Sequence, residues 1–247
     1  MVIMIDEYPQ TICNIIEDQS EECAKHLLQT SRELRQNSEL SGKIQFIYTG
    51  SINLTTIAKN LDATKFINDL NEVKVSALTT KEADKFVDEL LENIEFDISS
   101  EVKKYLLNRV EWLIPFYIQV LISEIREIYY EEEIDNDQIT DKHIIDKAFL
   151  RAIEKQQYYS SWRERLNVYR DNEYKFIMEV LNSISVQKKL DFSEIYNMSV
   201  KHEIEDKCKG IIQILKHDGY IQNNEDENIY MFNSPILREW WCKYSEK

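Results

Sequence analysis

The sequence is poor in the residues that form tight turns. Its 247 residues include four glycines and three prolines. Folds built from many short strands, such as sandwiches and barrels, need frequent turns, so this composition argues against them and predicts a mainly helical protein. The hydrophobic fraction is 43%, which is enough for a buried core in one large domain or in several small domains.

The sequence also lacks paired cysteines and long apolar segments. The four cysteines show no CxxC spacing, which is typical of reduced thiols and argues against a disulfide framework or a zinc site. No apolar run approaches the length of about 18 residues that a membrane span needs. Met1 leads directly into an apolar run without a basic region or a cleavage site, so no signal peptide is predicted. We expect a cytoplasmic protein without a membrane partner.

No large segment of the chain is basic. The formal net charge is −15, and residues 1–75, 76–171 and 172–247 each carry a net negative charge. Strong nonspecific binding to DNA depends on positive side chains that neutralise phosphates. The composition therefore disfavours it.

The first seven residues form an apolar run that ends in an acidic pair. Residues 1–5 are all apolar, and Asp6 and Glu7 follow them. A short apolar run with β-branched residues predicts a strand buried in a parallel sheet, and an acidic pair at its end lies where open α/β folds bind ligands. In P-loop ATPases the first carboxylate of such a pair helps to hold Mg²⁺, and the second can polarise the attacking water. The pattern resembles a Walker B motif; the alternative is a buried strand that simply leaves the core.

A second strand with a polar end follows. Residues 12–36 predict one helix or an interrupted helix, and residues 43–48 predict a strand because they are rich in β-branched and aromatic side chains. Thr49, Gly50 and Ser51 come at its end, where small and hydroxyl residues let the backbone approach a ligand. The alternative for Ser51 is a helix cap. Strand, helix and strand in this order predict a parallel sheet.

Several short motifs resemble the archaeal-ATPase-like group of P-loop proteins, on the STAND and AAA+ side of that fold. In chain order they are DEYP at 6–9, LR at 34–35, IQFIYTGSINL at 44–54, INDL at 67–70, VKVSALT at 73–79 with EA at 82–83, and FNSPILREWW at 232–241. The last motif is the most specific one. The motifs are spread from residue 6 to residue 241, so the resemblance extends over nearly the whole chain. The cofactors that the resemblance implies are ATP and Mg²⁺.

The resemblance also implies roles for individual residues. Asp6 and Glu7 would be the Walker B acids, with Asp6 holding Mg²⁺ through the nucleotide and Glu7 orienting the attacking water. Thr49, Gly50 and Ser51 would lie in the sensor 1 region, which reads the γ-phosphate. Arg35 is a candidate for a basic contact with a phosphate or with a neighbouring subunit.

The chain departs from this family in its glycines. A phosphate loop follows the pattern GxxxxGK[ST], because its backbone N–H groups must wrap the phosphates. None of the four glycines, Gly42, Gly50, Gly210 and Gly219, begins or completes that pattern. In the family the Walker A strand and loop precede the Walker B strand. We therefore interpret the chain as the carboxyl-terminal portion of such an ATPase, starting at Walker B, with a Walker A half that is lost or is encoded separately.

The remaining sequence predicts a helical segment and a winged helix. Residues 172–247 contain three helical stripes, a hairpin with a polar tip, and the ending that resembles the family. The third helix of this segment mixes Lys with Glu and Asp, and the hairpin tip holds three acids, so a contact within the chain or with a protein is favoured over DNA. The paired tryptophans, Trp240 and Trp241, are expected to pack in a core.

Taken together, the sequence predicts a mainly α fold with a partial α/β P-loop sheet. The predicted domains are a partial P-loop NTPase at 1–75, a helical lid and linker at 76–171, and a winged helix at 172–247. The predicted function is that of a fragment of an ATPase whose intact family couples ATP binding and hydrolysis to domain movement, inactive alone and without a cofactor of its own. One alternative is a non-enzymatic winged-helix interaction module or DNA-binding regulator; another is a split ATPase whose Walker A half is a separate polypeptide.

Overall fold

The structure is a computed structural model that describes residues 1–50, 53–73, 75–92, 94–134, 138–224 and 228–244. It divides into two compact units. The first consists of Met1–Lys74 and Arg165–Arg170, and the second of Val75–Glu164 and Asp171–Lys247. Both units are mainly helical with small sheets, which confirms the predicted fold class. No helix in the described ranges is long and apolar enough to span a membrane.

The first unit contains a two-stranded sheet and three helices in its described residues. They are β1 (Val2–Ile5), α1 (Tyr8–Asp18), α2 (Glu21–Arg35), β2 (Gln45–Tyr48) and α3 (Leu54–Asn60), followed by a 3₁₀ turn at Thr64–Phe66. The predicted long helix is interrupted, because Ser20 caps α2 by accepting a hydrogen bond from the Cys23 N–H at 3.2 Å.

The two strands pair in parallel, as the sequence predicts. Val2 lies opposite Gln45, and Ile5 lies opposite Tyr48. Side chains alternate between the faces of a strand, so Ile5 and Tyr48 share the face that packs on α1 and α2. There the core is formed by Tyr8, Ile12, Ala24, Leu28, Ile57, Leu61 and Ala63.

The family resemblance implies a third strand near Val73 and Val75, and this strand is wrong for the residues that the structure describes. Both valines are highly exposed and lie outside any strand, while Lys74 lies outside the described residues. A strand persists only where its N–H and C=O groups find partners. In the described part of the first unit, β1 and β2 pair only with each other.

The second unit contains most of the helices. In chain order its elements are α4 (Thr80–Leu91), β3 (Asp97–Ile98), α5 (Ser100–Val110), α6 (Pro115–Glu131), β4 (Gln138–Ile139), α7 (His143–Glu154), α8 (Ser160–Glu164), α9 (Asp171–Gln187), β5 (Leu190–Asp191), α10 (Phe192–Lys201), α11 (Cys208–His217), β6 (Ile221–Asn223), β7 (Ile229–Phe232) and α12 (Pro235–Tyr244). Capping explains several starts: Thr79 with Glu82, and Asp191 with Glu194, form capping boxes. Pro115 begins α6, where a missing N–H costs nothing.

The carboxyl-terminal part has the elements expected of a winged helix. Helices α9, α10 and α11 precede the hairpin of β6 and β7, and the antiparallel sheet has the order β5-β7-β6. The predicted acidic hairpin tip includes residues 225–227, which lie outside the described residues. The winged-helix assignment and the three domain boundaries stay predictions. The structure groups residues 76–164 and 171–247 in the same compact unit.

The paired tryptophans are buried in this unit, as expected. Ser234 caps α12 by accepting a hydrogen bond from the Leu237 N–H at 3.3 Å, which orients the helix for packing against α7 and α9. Trp241 is fully buried and donates its indole N–H to Asn182 at 2.8 Å, and Trp240 contacts the ring of Tyr159. The motif at 232–241 therefore encodes a helix cap and a hydrophobic contact.

Two glycines in this unit have opposite environments. Gly219 has a φ of +86°, and a Cβ added there would lie 2.4 Å from a ring carbon of Trp112. Gly210 lies within α11, and an added Cβ would meet no heavy atom within 4 Å. Gly219 is therefore needed by its turn and its aromatic neighbour, whereas Gly210 is not required by packing.

We predict that Gly210→Ala stabilises the chain by about 1 kcal/mol, because alanine has the higher helix propensity. Gly219→Ala should destabilise it by about 2 kcal/mol or more, through backbone strain and the clash with Trp112. Urea unfolding of the two variants beside the parent measures both effects. Equal stabilities for the two variants would contradict the packing described here.

Candidate functional site

The candidate site lies where β1 and β2 end. Asp6 and Glu7 follow β1, and Thr49 and Gly50 follow β2. The strands are parallel and Ile5 pairs with Tyr48, so the residues that follow come from the same edge of the sheet. The fold thus brings four of the predicted site residues together.

Hydrogen bonds join the two strand ends. The Thr49 N–H donates to the Ile5 carbonyl at 3.0 Å, and the Tyr8 N–H donates to the Thr49 carbonyl at 3.0 Å. The Thr49 hydroxyl also donates to Oδ1 of Asp6, which accepts the Glu7 N–H at 3.0 Å as well. Both of these side-chain bonds engage Oδ1 rather than Oδ2, and Asp6 is exposed. The hydrogen bond from Thr49 fixes the orientation of the Asp6 carboxylate, and Oδ2 of Asp6 takes part in neither of these two bonds.

Glu7 has an unusual backbone. Its φ is 48° and its ψ is 37°, in the left-handed region, and its carbonyl accepts the Thr11 N–H at 3.0 Å at the start of α1. This conformation costs an L-residue about 1–2 kcal/mol. Five other non-glycine residues in the described part of the chain also have a positive φ, so this conformation alone does not mark a functional site. The turn places the exposed Glu7 directly beside Asp6 and before α1.

Gly50 lets the two strand ends approach closely. A Cβ added at Gly50 would lie 2.5 Å from Cδ of Pro9 and 3.7 Å from Oε2 of Glu7. Any larger residue would push the end of β2 away from the start of α1, and with it Thr49 from Asp6. The predicted nucleotide contacts of Thr49 and Gly50 stay predictions. Ser51 lies outside the described residues.

The candidate site offers one of the ligand types that Mg²⁺ takes, and a contact of Asp6 with Mg²⁺ stays a prediction. Mg²⁺ prefers oxygen ligands and takes one or two carboxylates together with phosphates and waters. Asp6 supplies a carboxylate of this kind at the sheet edge, and Glu7 is the next residue. Across the described residues, no group of three or more His, Cys, Asp or Glu side chains could hold a metal ion by itself.

Arg35 lies in a different set of contacts. Its Nε and Nη2 atoms donate to the two oxygens of Asp69, each at 2.8 Å, and Nη2 also donates to the Phe66 carbonyl at 2.7 Å. Its Nη1 donates to the Tyr48 hydroxyl at 3.3 Å, and the Arg35 side chain is only 9% exposed. We call this set of contacts the Arg35 clamp. It ties α2 to β2 and to the segment after α3, and a contact of Arg35 with phosphate stays a prediction.

The sequence did not reveal the clamp, although both partners stand in motifs noted above. Arg35 belongs to LR at 34–35, and Asp69 belongs to INDL at 67–70. The neighbouring residues also pair, since Arg32 donates to the Asn68 side chain at 2.8 Å. Two motifs that carry opposite charges indicate that an ion pair can form between them. Only the tertiary structure shows which residues form it.

We predict that Arg35→Ala lowers the free energy of unfolding by about 2 kcal/mol, because it removes charge-assisted hydrogen bonds from a largely buried group. Arg170→Ala is the matched control. Arg170 pairs with Glu21 at 2.7 Å, and the side chains of Arg170 and Glu21 are 68% and 50% exposed. An exposed ion pair contributes about 0–1 kcal/mol to the free energy of unfolding. Denaturant unfolding of both variants tests the clamp, and equal losses would contradict it.

The clamp also predicts a pH dependence. The hydrogen bond from Arg35 lowers the pKa of Asp69. A lowered pKa in the folded state means that the stabilisation is present above the ordinary aspartate pKa and is lost as the pH falls through the folded value. The destabilisation caused by Asp69→Asn should therefore be largest near neutral pH and shrink in acid. A stability difference that stays constant between neutral and acidic pH would contradict this assignment.

The comparisons with known proteins give one relevant structure. No family model and no curated protein matches the sequence. The Walker-type ATPase PABY2304 of Pyrococcus abyssi matches with a TM-score of 0.61 and 14% identity, over 97% of this chain and 62% of that chain. The chain thus spans less than two thirds of the length of that protein. At this identity the likeness shows the fold alone: the chain folds like the aligned part of that protein.

Proposed function

We propose that this chain is the carboxyl-terminal part of an ATPase of the STAND and AAA+ group, which couples ATP binding and hydrolysis to movement of its helical parts. One observation carries the proposal: two parallel strands bring Asp6, Glu7 and Thr49 together at one sheet edge, in a fold similar to that of a Walker-type ATPase. This is the position at which α/β folds bind nucleotides.

The geometry supports distinct roles for these residues. Asp6 would hold Mg²⁺ together with the nucleotide phosphates, and its bond from the Thr49 hydroxyl orients the carboxylate for that purpose. Glu7 would orient the attacking water from its exposed position at the turn. Thr49 would respond to the γ-phosphate through Asp6, with Ser51 as a further candidate. The metal, when bound, would neutralise charge that develops on the phosphate oxygens.

A phosphate loop must come from another segment. The 247 residues contain no GxxxxGK[ST] pattern, and two carboxylates repel a triphosphate unless a cation bridges them. We propose that a Walker A half, in the same polypeptide or in a separate one, supplies the backbone N–H groups and the lysine. In this view the chain alone does not hydrolyse ATP.

The second candidate is a non-enzymatic interaction module based on the predicted winged helix. The three helices that precede the hairpin and the three-stranded sheet of the carboxyl-terminal part favour it. Two of its lysines pair with nearby acids: Lys201 with Glu179 at 2.8 Å and Lys207 with Glu173 at 2.7 Å. This pairing reduces the positive charge that phosphates would meet, so a protein partner is favoured over DNA.

The chain alone should not bind ATP tightly, even with Mg²⁺, because its sequence contains no phosphate loop whose N–H groups would wrap the phosphates. Isothermal titration calorimetry of the purified chain with ATP and Mg²⁺ tests this expectation. Micromolar affinity, or ATP turnover that Glu7→Gln abolishes, would contradict it.

A genetic test separates the two candidate functions. The DNA immediately upstream should encode a GxxxxGK[ST] segment, in the same frame or in a neighbouring one. Produced together with that segment, the chain should hydrolyse ATP, and Glu7→Gln should lower turnover by about 100-fold or more, since it removes a group that acts on the attacking water. Glu17→Gln, at an exposed glutamate of α1, is the control and should leave turnover unchanged. Absence of such a segment would favour the interaction module.

A further inference from the structure

The second unit contains a glutamate that is completely buried. Glu124 lies in the middle of α6, and its side chain is 0% exposed. Oε1 of Glu124 lies 2.6 Å from Nζ of Lys155, the first residue after α7, whose side chain is 28% exposed. No other cation among the described residues forms an ion pair with Glu124, and its Oε2 has no hydrogen-bond partner there. The charge of this carboxylate is therefore balanced by one lysine.

Burial distinguishes Glu124 from the other acids that pair across the same two helices. Glu131 and Glu132 of α6 also pair with cations on α7, but their side chains are 58% and 42% exposed. Water can solvate these two acids when their partners move away. An ionised carboxylate in the interior has no such alternative and is costly unless it is paired. Glu124 therefore depends on Lys155 more strongly than the exposed acids depend on their partners.

Lys155 lies where the chain leaves α7. It follows the last residue of that helix and precedes a 3₁₀ turn at Gln156–Tyr158. Its Nζ also lies 2.9 Å from Oε2 of Glu127 on α6, and 5.9 Å from the centre of the Tyr158 ring. Burial alone would lower the pKa of Lys155, but its contacts with Glu124 and Glu127 outweigh this effect and raise that pKa. The lysine is therefore charged, as a counter-ion must be.

The residues that follow Lys155 pack against α6 and α12. The ring centres of Tyr158 and Tyr159 lie 6.4 and 6.3 Å from that of Phe116, in the first turn of α6. Tyr159 is fully buried, and its ring also contacts Trp240 of α12. The ion pair and these ring contacts therefore act on the same short segment, residues 155–159, which we call the Lys155 turn.

We propose that Glu124 forms an internal ammonium-binding site that this chain fills with Lys155, and that the pair acts as a latch that holds the Lys155 turn against α6. The ligand class is a primary ammonium, because Glu124 and Glu127 both contact the same Nζ. The lysine reaches Glu124 from a partly exposed position, so its truncation to alanine would leave a path for a small ammonium ion. The latch lies in the second unit and does not depend on the proposed nucleotide chemistry.

The test measures urea unfolding of Lys155→Ala, with Lys243→Ala as the matched control. Lys243 pairs with Glu154 at 3.0 Å, and the side chains of Lys243 and Glu154 are 47% and 67% exposed. Lys155→Ala should lower the unfolding midpoint about three times as much as the control or more, because it leaves a buried carboxylate without a counter-ion. Methylammonium chloride should then raise the midpoint of Lys155→Ala above its value in sodium chloride at the same concentration, since an ion that binds the folded state stabilises it.

A combined variant separates the charge of Glu124 from the packing of the lysine side chain. Lys155→Ala with Glu124→Gln should be more stable than Lys155→Ala alone, and the two salts should act on it equally, because no buried charge is left to bind an ammonium ion. If Lys155→Ala does not fold, folding of the combined variant supports the latch, and failure of both variants overturns it.

Three further results would overturn the proposal. They are equal losses in Lys155→Ala and Lys243→Ala, equal effects of the two salts on Lys155→Ala, and a combined variant that is no more stable than Lys155→Ala. Each result would mean that the charge of Glu124 does not depend on the ammonium group of Lys155.

Discussion

The parallel pairing of β1 and β2 is the constraint on which the candidate site depends. The register sets Ile5 opposite Tyr48, so the next residues, Asp6 and Thr49, lie at the same edge of the sheet. Their side chains form a hydrogen bond there. A shift by one residue would move every side chain of a strand to the other face. Such a shift would remove Ile5 or Tyr48 from the core and separate Asp6 from Thr49. The same register therefore sets both the hydrophobic packing of the sheet and the position of the polar side chains at its edge.

Two further features hold this pairing in place. The Arg35 clamp ties α2 to Tyr48 at the end of β2, and the close contact of Gly50 with Pro9 joins the end of β2 to the start of α1. Both act on the inner side of the sheet, where helices cover it. The opposite face, which carries Val2, Met4 and Ile47, has no such support in the described residues. In the described residues, the sheet of the first unit is packed on one face and exposed on the other.

The sequence predicted those parts of the fold that are encoded locally. Apolar and β-branched runs predicted β1 and β2, and the residues after them predicted the site. The strand that the family resemblance implies near Val73 and Val75 is wrong for the described residues, because a strand persists only beside a partner. The Arg35 clamp and the packing of Gly50 on Pro9 were not predictable, since each joins residues that are distant in sequence and depends on how helices and strands pack. Ser51 lies outside the described residues, so its role rests on the sequence motif alone.

Amide hydrogen exchange on the isolated chain tests the central claim most directly, because it measures which backbone hydrogen bonds open. A sheet with open edges and one bare face should protect its amides poorly, and buried helices should protect theirs well. We predict fast exchange in β1 and β2 and slow exchange in α6 and α9 of the same sample, with β1 and β2 becoming protected when the phosphate-loop segment is added. Protection of β1 and β2 equal to that of α6 and α9 in the isolated, monomeric chain would show that the sheet is complete as it stands and would contradict the account.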